Sequence, residues 1–212
     1  PKINLHDYSL GGAEALVRWK HEGTMIFPDQ FIPVLEANYT IKYLDLYMLN
    51  HVCADIRKWL DEGRNVKTIS VNLSRCSIEI EDLVGVITGI IDSHGVPRKY
   101  IQIELTESTT EVGAKELRDL VVGLRDANIS TAVDDFGTGF SSLSLIRDFP
   151  WNVLKIDKSL LHGALTDGSR ENFMFKSIIA LILYSISVLL NMKTAPLTPP
   201  NISIKVYSAK SL

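Results

Sequence analysis

The chain has 212 residues, of which 46% are hydrophobic and 22% are charged, a composition typical of a globular protein with one domain. Its formal net charge of −3 at pH 7 argues against a broad surface for a nucleic-acid polymer. The two cysteines, Cys53 and Cys76, are predicted to be buried free thiols in a reducing compartment. A cytoplasmic location is therefore expected, including for a domain of a membrane-anchored parent protein. The chain opens with Pro1 rather than Met, which predicts a longer protein with an upstream sensory or regulatory domain.

The N-terminal part predicts a strand after a turn. Residues 1–9 have the pattern of a strand end and a turn, and two glycines then precede a strand predicted over Ala13–Trp19. Because side chains alternate along a strand, Glu14, Leu16 and Arg18 are predicted to share one face.

Four further runs of alternating apolar and polar residues predict strands. They cover Thr68–Ser74, Ile101–Glu107, Ser130–Asp135 and Val153–Lys158. Each carries a polar residue near its C-terminal end, namely Asn72, Glu104, Asp134 and Lys155. The first three of these residues are about 30 positions apart, the length of a strand–helix unit. This pattern predicts an α/β fold, a TIM-like (β/α) barrel. The barrel is expected to be incomplete at its C-terminal end, since a complete one usually needs about 250 residues.

Apolar residues at steps of three and four predict helices between these strands. They cover Phe31–Asp61, Ile80–His94, Glu111–Ala127 and the start of a fourth helix at Ser169–Ala180. The pattern changes from about Leu181. Residues 178–190 are almost continuously apolar, but a membrane span needs about 20 such residues, so a buried helix is predicted. A proline-containing segment follows, and Ile202–Tyr207 alternate as a final strand would.

A barrel would bring five polar residues to one end of the sheet. They are Glu14, Asn72, Glu104, Asp134 and Asp135. Four of the five are carboxylates, and Lys155 alone cannot balance their charge, so one or two Mg²⁺ or Mn²⁺ ions are predicted among these hard oxygen ligands. Asp134 and Asp135 can then serve two neighbouring metals, and Arg18 can hold a phosphate oxygen. The alternative is that these are ordinary strand-end residues and caps. Their occurrence on successive strands favours the metal site.

Six short motifs stand out between about Pro1 and about Ala180. They are Glu14–Trp19, Phe31–Pro33, Val71–Ser74, Glu104–Glu107, Asp134–Gly139 and Lys155–Asp157. In these motifs and in their order, the sequence resembles the EAL family. Members of this family are bacterial cyclic di-GMP phosphodiesterases with a TIM-like barrel, which open the cyclic dinucleotide to linear pGpG with Mg²⁺ or Mn²⁺. The resemblance therefore implies this fold, activity, substrate and cofactor.

The resemblance also implies a role for each matched residue. Those that match ligands of a first metal are Glu14, Asn72, Glu104 and Asp134. Asp135 matches a ligand of a second metal, and Lys155 matches a catalytic lysine that helps to place the attacking water. Leu16 and Arg18 match residues that line the dinucleotide. Glu107 matches a residue that steadies the loop over 136–142, which in this family is tied to metal binding and to homodimer formation.

The sequence departs from the family pattern at both ends. The family has a Gln before the position of Pro1, and it continues beyond a helix like the one at 177–180 with a strand that bears a Glu. That Glu binds the second metal and acts as the general base, but no Asp or Glu follows Glu171 here. The expected division is therefore a barrel truncated at both ends over 1–180 and a non-homologous tail over 181–212, either frame-shifted or foreign.

These departures predict weakened hydrolysis. Loss of a general base costs about 10²–10⁴ in rate, and a barrel without its last strands leaves an open sheet edge. Two functions remain open at this point. One is an impaired metal-dependent cyclic di-GMP phosphodiesterase. The other is a degenerate EAL domain that binds the nucleotide or a protein partner without cleavage. A non-functional truncation product that folds poorly is a further alternative.

Overall fold

The computed structural model describes residues 1–106, 113–136 and 148–157. The strands are β1 (Lys2–Ile3), β2 (Leu10–Ala15), β3 (Trp19–His21), β4 (Thr24–Ile26), β5 (Thr68–Leu73), β6 (Ile101–Thr106), β7 (Ser130–Phe136) and β8 (Val153–Ile156). The helices are α1 (Pro28–Ala37), α2 (Ile41–Asp61), α3 (Leu83–Ser93) and α4 (Ala114–Asp126). Short 3₁₀ turns follow β5 at Arg75–Glu79 and precede β6 at Arg98–Tyr100.

Six of these strands form one sheet in the order β1-β2-β5-β6-β7-β8. Strand β1 is antiparallel to β2, and every later neighbour is parallel. Strands β3 and β4 form a separate hairpin. Helices connect the consecutive parallel strands from β2 to β7, which is the strand–helix repeat of an incomplete TIM-like barrel. The predicted fold class is confirmed.

Both faces of strand β6 are buried, for different reasons. On β6, Ile101, Ile103 and Leu105 belong to the apolar core and are 0–1% exposed. Burial of each such side chain contributes about 1.5–3 kcal/mol. Gln102 and Glu104 lie on the opposite face, and they too are buried, at 5% and 0% exposure. Buried polar groups need partners. The polar residues of this inner face therefore form a candidate functional site.

The predicted helix over Phe31–Asp61 is wrong in one respect, because it is two helices. Helix α1 ends where Tyr39 adopts a φ of 55°. The backbone N–H of Tyr39 then donates to the carbonyl of Glu36, and that of Thr40 donates to the carbonyl of Leu35. This pair of bonds is a Schellman motif, which usually has glycine at the left-handed position. Because a tyrosine occupies that position, the sequence contains no glycine to mark the end of the helix.

Two other boundaries were also wrong. Strand β2 covers Leu10–Ala15 rather than Ala13–Trp19, so the two glycines lie inside it. A Cβ on Gly12 would lie 2.6 Å from the carbonyl oxygen of Thr68, so glycine allows β2 to approach β5 closely. Helix α3 begins at Leu83 rather than Ile80. Asp82, which has a φ of 47°, caps the helix by accepting a hydrogen bond from the backbone N–H of Gly85.

Several predictions remain outside the described residues. They concern Glu107, the loop over 137–142, the helix over 169–180, the apolar stretch over 178–190 and the strand over 202–207. Among the residues described, no helix is both long enough and apolar enough to cross a membrane. Cys53 and Cys76 are buried and free, as predicted. Burial raises the pKa of the Cys53 thiol to about 11.

Candidate functional site

Three carboxylates from different strands meet on the inner face of the sheet. Glu14 on β2, Glu104 on β6 and Asp134 on β7 each offer an oxygen atom, and these atoms all lie within 4.8 Å of one another. Asn72 on β5 joins them, since its Nδ2 donates to Glu14 Oε1 at 2.9 Å. The convergence that the sequence predicted for these four residues is therefore present.

The strand register explains this convergence. Asn72 and Glu104 are direct partners across β5 and β6, so their side chains leave the sheet on the same face. Asp134 is paired with Thr106 and therefore lies nearer the carboxyl end of the sheet than Glu104. Parallel pairing thus brings side chains that are far apart in sequence to a single end of the sheet.

Lys155 on β8 lies among the three carboxylates. Its Nζ atom donates to Glu104 Oε2 at 2.6 Å and to Glu14 Oε2 at 3.3 Å, and it also donates to Asp134 Oδ2. The lysine is only 2% exposed. An ammonium group that contacts three carboxylates offsets part of their mutual repulsion.

A second buried lysine was missed by the sequence reasoning. Lys2 on β1 places Nζ 2.5 Å from Glu104 Oε1 and donates to Gln102 Oε1 at 3.1 Å and to Ser70 Oγ. Antiparallel pairing of β1 with β2 carries Lys2 inward, where it is 6% exposed. The only local signal was a lysine beside Ile3 in a strand-like stretch, and that signal does not reveal the pairing.

These ion pairs set the protonation states at the centre of the site. Burial by itself raises the pKa of Glu104, but Lys2 and Lys155 outweigh it and hold the pKa of that carboxyl below its ordinary value. For Asp134 burial prevails over Lys155, and its pKa is raised. Burial disfavours the charged form of Lys155, but Glu104 and Asp134 prevail and its pKa is raised. At neutral pH Lys155 is therefore an ammonium and Glu104 a carboxylate.

A β-bulge explains how Asp134 and Asp135, although adjacent in sequence, both lie at the carboxyl end of the sheet. The register of β7 on β8 shifts between Val133 and Phe136, so that two aspartates face Lys155 alone. Asp135 adopts a φ of 53°, which is unusual for a residue other than glycine. Bulges of this kind re-aim side chains and are common beside active sites.

Asp135 lies at the rim rather than in the three-carboxylate cluster. Its residue is exposed, in contrast to the nearly inaccessible Glu104 and Lys155. Desolvation raises the pKa of Asp135, and the negative charges of Asp134, Asp157 and Glu14 raise it further. It is therefore close enough to the cluster for the charges of Asp134, Glu14 and Lys155 to affect its pKa.

A groove of about 700 Å³ opens beside the cluster, between α1, α2 and the carboxyl ends of β2 and β5. Both Leu16 and Arg18 line it, but not as predicted, because β2 ends at Ala15 and neither residue shares the strand face of Glu14. Leu16 is 54% exposed. Arg18 is exposed and donates from Nη1 to the carbonyl of Val17 at 2.8 Å. Arg18 thus lines the groove as an exposed residue and does not enter the sheet interior.

The cluster is suited to a divalent cation. Glu14, Glu104 and Asp134 present carboxylate oxygens at ligand spacing, and the amide oxygen of Asn72 is a further hard donor, the type that Mg²⁺ and Mn²⁺ prefer. Both described cysteines, by contrast, lie apart from these carboxylates. The donor chemistry therefore fits a hard divalent ion.

Comparison with known proteins identifies the family. A profile of the EAL domain matches residues 1–185. The chain belongs to the EAL-domain family. The match leaves residues 186–212 outside it, and the division of the chain near Leu181 stays a prediction.

Two relatives of this EAL domain are named as a signaling protein and a cyclic di-GMP phosphodiesterase. It is 31% identical over 172 residues to the signaling protein YkoW of Bacillus subtilis, covering 81% of this chain and 21% of the relative. It is also 31% identical over 182 residues to the cyclic di-GMP phosphodiesterase NbdA of Pseudomonas aeruginosa, covering 85% of this chain and 23% of that protein. The chain thus spans about a fifth to a quarter of the length of these relatives.

Solved structures of EAL domains share the fold. The PaMucR phosphodiesterase, solved as a c-di-GMP complex, matches with a TM-score of 0.75 and 29% identity over 90% of this chain and 75% of that one. The EAL enzyme Bd1971, bound to cAMP and cyclic di-GMP, matches with a TM-score of 0.76 and 26% identity over 87% of this chain and 51% of that one.

Proposed function

We propose that this EAL domain hydrolyses cyclic di-GMP to linear pGpG, using Mg²⁺ or Mn²⁺, as part of a larger bacterial signalling protein in the cytoplasm. The observation that carries the proposal is the meeting of Glu14, Glu104 and Asp134 within 4.8 Å at the carboxyl end of a parallel sheet, beside a groove of about 700 Å³. Relatives named as cyclic di-GMP phosphodiesterases support the same substrate.

Each site residue has a distinct role in this proposal. Those that would hold a first metal are Glu14, Asn72, Glu104 and Asp134, and Asp135 at the bulge would hold a second. Bound divalent ions supply positive charge that makes a water nucleophilic at neutral pH and stabilises the leaving oxygen. Lys155 would keep its proton on Nζ and, by exchanging one of its three carboxylate contacts, would donate the hydrogen bond that orients the attacking water.

The groove would bind the dinucleotide. Arg18 carries a planar guanidinium, which can donate two parallel hydrogen bonds to a phosphate. Leu16, half exposed in the same wall, offers apolar surface to a base. Glu107 would steady the loop over 136–142 and support a homodimer, which the family resemblance suggests.

The proposal includes a low rate for the 212-residue polypeptide tested by itself. The family's general base is a Glu on a later strand, and no carboxylate follows Glu171 in this sequence. Loss of a general base lowers the rate by about 10²–10⁴. A second candidate function follows from the same observation. It is a nucleotide-binding or protein-interaction module in which Lys155 offsets the charge of the carboxylates without turnover.

Hydrolysis and binding measured in parallel separate these two functions. Cyclic di-GMP is incubated with the chain and Mg²⁺ or Mn²⁺, and pGpG is separated by chromatography, while calorimetry measures affinity for the nucleotide. Slow metal-dependent release of pGpG, abolished by EDTA and by Asp134→Asn, is expected. Binding without any product would favour the module instead, and absence of both would refute the proposed function.

A further inference from the structure

Asp45 is a buried acid that the proposed chemistry does not use. It lies in the first turns of α2, on the side that faces the sheet, and is 8% exposed. Burial raises the pKa of this carboxyl, although hydrogen bonds from Ser74 and Ser77 oppose the shift. A carboxylate in such a place is costly unless its hydrogen bonds offset the loss of water, so its contacts call for an explanation.

Both contacts go to one short segment that immediately follows β5. The backbone N–H of Ser74 donates to Asp45 Oδ2 at 2.8 Å, and Ser77 Oγ donates to the same oxygen at 2.7 Å. Ser77 is itself fully buried. The two serine hydroxyls lie 3.4 Å apart. One oxygen of Asp45 therefore holds Ser74, which precedes the 3₁₀ turn, and Ser77, which lies within it.

This segment is where the strand ladder ceases to hold the chain. The last residue of β5 in register with β6 is Leu73, opposite Leu105. Asn72 is still fixed by the ladder and by its bond to Glu14. Ser74 comes directly after the ladder, and its backbone N–H is held instead by the hydrogen bond to Asp45.

The same segment lines the groove, and Asp45 ties it to α2, which also lines the groove. Ser74 and Arg75 line it on the β5 side, while Leu44, Asp45 and Met48 line it from α2. Without a direct bond, these two parts of the lining could shift relative to each other. The two hydrogen bonds to Asp45 Oδ2 fix their separation.

We infer that Asp45 is a positioning residue for the nucleotide groove: it holds the turn after β5 against α2 and so fixes the relative position of two parts of the groove lining, outside the cluster of Glu14, Glu104 and Asp134. The inference depends on the proposed function for the identity of the ligand. Its geometry does not, because the bond to Ser74 can be observed without any nucleotide.

The bonding pattern selects the variants. An amide oxygen can accept both hydrogen bonds that reach Oδ2, so Asp45→Asn retains the tie, whereas Asp45→Ala removes it. Ser77→Ala removes one donor and leaves the Ser74 N–H bond in place. It is a mild change that serves where Asp45→Ala does not fold.

Three measurements on the full 212-residue chain test the role. Calorimetry gives the affinities for Mn²⁺ and, in its presence, for cyclic di-GMP, and hydrogen exchange followed by NMR reports on the Ser74 amide. Asp45→Ala is expected to weaken nucleotide binding at least about tenfold, or about 1.4 kcal/mol, and to speed exchange of the Ser74 amide. Asp45→Asn stays within about twofold of wild type and Ser77→Ala lies between. Mn²⁺ affinity stays within about twofold throughout, because the ladder holds Asn72.

A purely structural role for Asp45 would not weaken nucleotide binding while sparing Mn²⁺ binding. The inference is overturned if Asp45→Ala, or Ser77→Ala where the former does not fold, leaves both nucleotide affinity and Ser74 exchange unchanged. Equal losses in Asp45→Asn and Asp45→Ala also overturn it, since the amide preserves the acceptor. If wild type binds no cyclic di-GMP, the proposed function fails, and the exchange rate of the Ser74 amide still decides whether Asp45 holds the turn.

Discussion

Replacing Lys2 by Met should destabilise the fold markedly, although the residue is second in the chain. Lys2 Nζ lies 2.5 Å from Glu104 Oε1, and the two side chains are 6% and 0% exposed. Removing one partner of a buried ion pair costs about 3–5 kcal/mol, because the other charge is left uncompensated. Lys155 still contacts Glu104 Oε2 at 2.6 Å, so we expect the lower end, about 3 kcal/mol.

The pH dependence of stability gives a second measure of the same contact. Although burial raises the pKa of Glu104, the two lysines bring it below its ordinary value. A depressed carboxyl pKa adds stability above the unfolded pKa, about 4.3 for Glu, and this stability is lost as the pH falls through the folded pKa. In Lys2→Met part of this depression disappears, so the loss of stability between pH 7 and pH 4 becomes smaller.

Urea unfolding, followed by circular dichroism at pH 7 and pH 4, measures both effects through the midpoint concentration. Lys20→Met is the matched control, because Lys20 lies exposed in the β3–β4 hairpin and should change stability by no more than about 0.5 kcal/mol. Combining Lys2→Met with Glu104→Gln should cost less than the sum of the single changes. A loss below about 1 kcal/mol for Lys2→Met, or strict additivity, would refute the buried ion pair.

Three further outcomes are expected. Asp134→Ala should abolish Mn²⁺ binding in calorimetry, since it removes one of three clustered carboxylates; retained binding would contradict the site. Gly12→Ala should cost about 1–3 kcal/mol in urea unfolding, because its Cβ would lie 2.6 Å from the Thr68 carbonyl. Gly11→Ala, with its nearest atom at 3.6 Å, is the control, and equal costs would refute the explanation. Cys53, whose thiol pKa burial raises to about 11, should react with a disulfide reagent at pH 8 only after unfolding, and rapid reaction of the native chain would show it accessible.

The period-two pattern of the central strands was sufficient to predict the sheet and most of its site. On β5 and β6, apolar residues alternate with Ser70, Asn72, Gln102 and Glu104, and the structure keeps that alternation with a direct partnership of Asn72 and Glu104. One face of these strands packs in the apolar core, and the other carries hydrogen-bonded polar groups, so the alternation persists although Ser70, Gln102 and Glu104 are also buried. The predicted gathering of Glu14, Asn72, Glu104 and Asp134 followed from this alternation.

The errors came where long-range pairing or backbone geometry overrides local pattern. Lys2 enters the interior only because β1 runs antiparallel to β2, and nothing within residues 1–9 specifies that partner. Arg18 was assigned to a strand face by alternation, but β2 ends three residues earlier, at Ala15. Tyr39 ends a helix in a conformation that the sequence suggests only for glycine. Lys2 depends on a partner outside the window in which periodicity is read, whereas Arg18 and Tyr39 depend on local backbone geometry that periodicity does not report.

The two buried lysines, Lys2 and Lys155, affect the stability of the domain when no metal is bound. Many small metal-dependent domains unfold on chelation, because their ligands have nothing else to bind. Here each oxygen of Glu104 already has an ammonium partner, Lys2 on one side and Lys155 on the other. The polypeptide thus supplies two internal counter-ions, which offset part of the charge of Glu14, Glu104 and Asp134. We therefore expect the described part of the barrel to stay folded when divalent ions are removed.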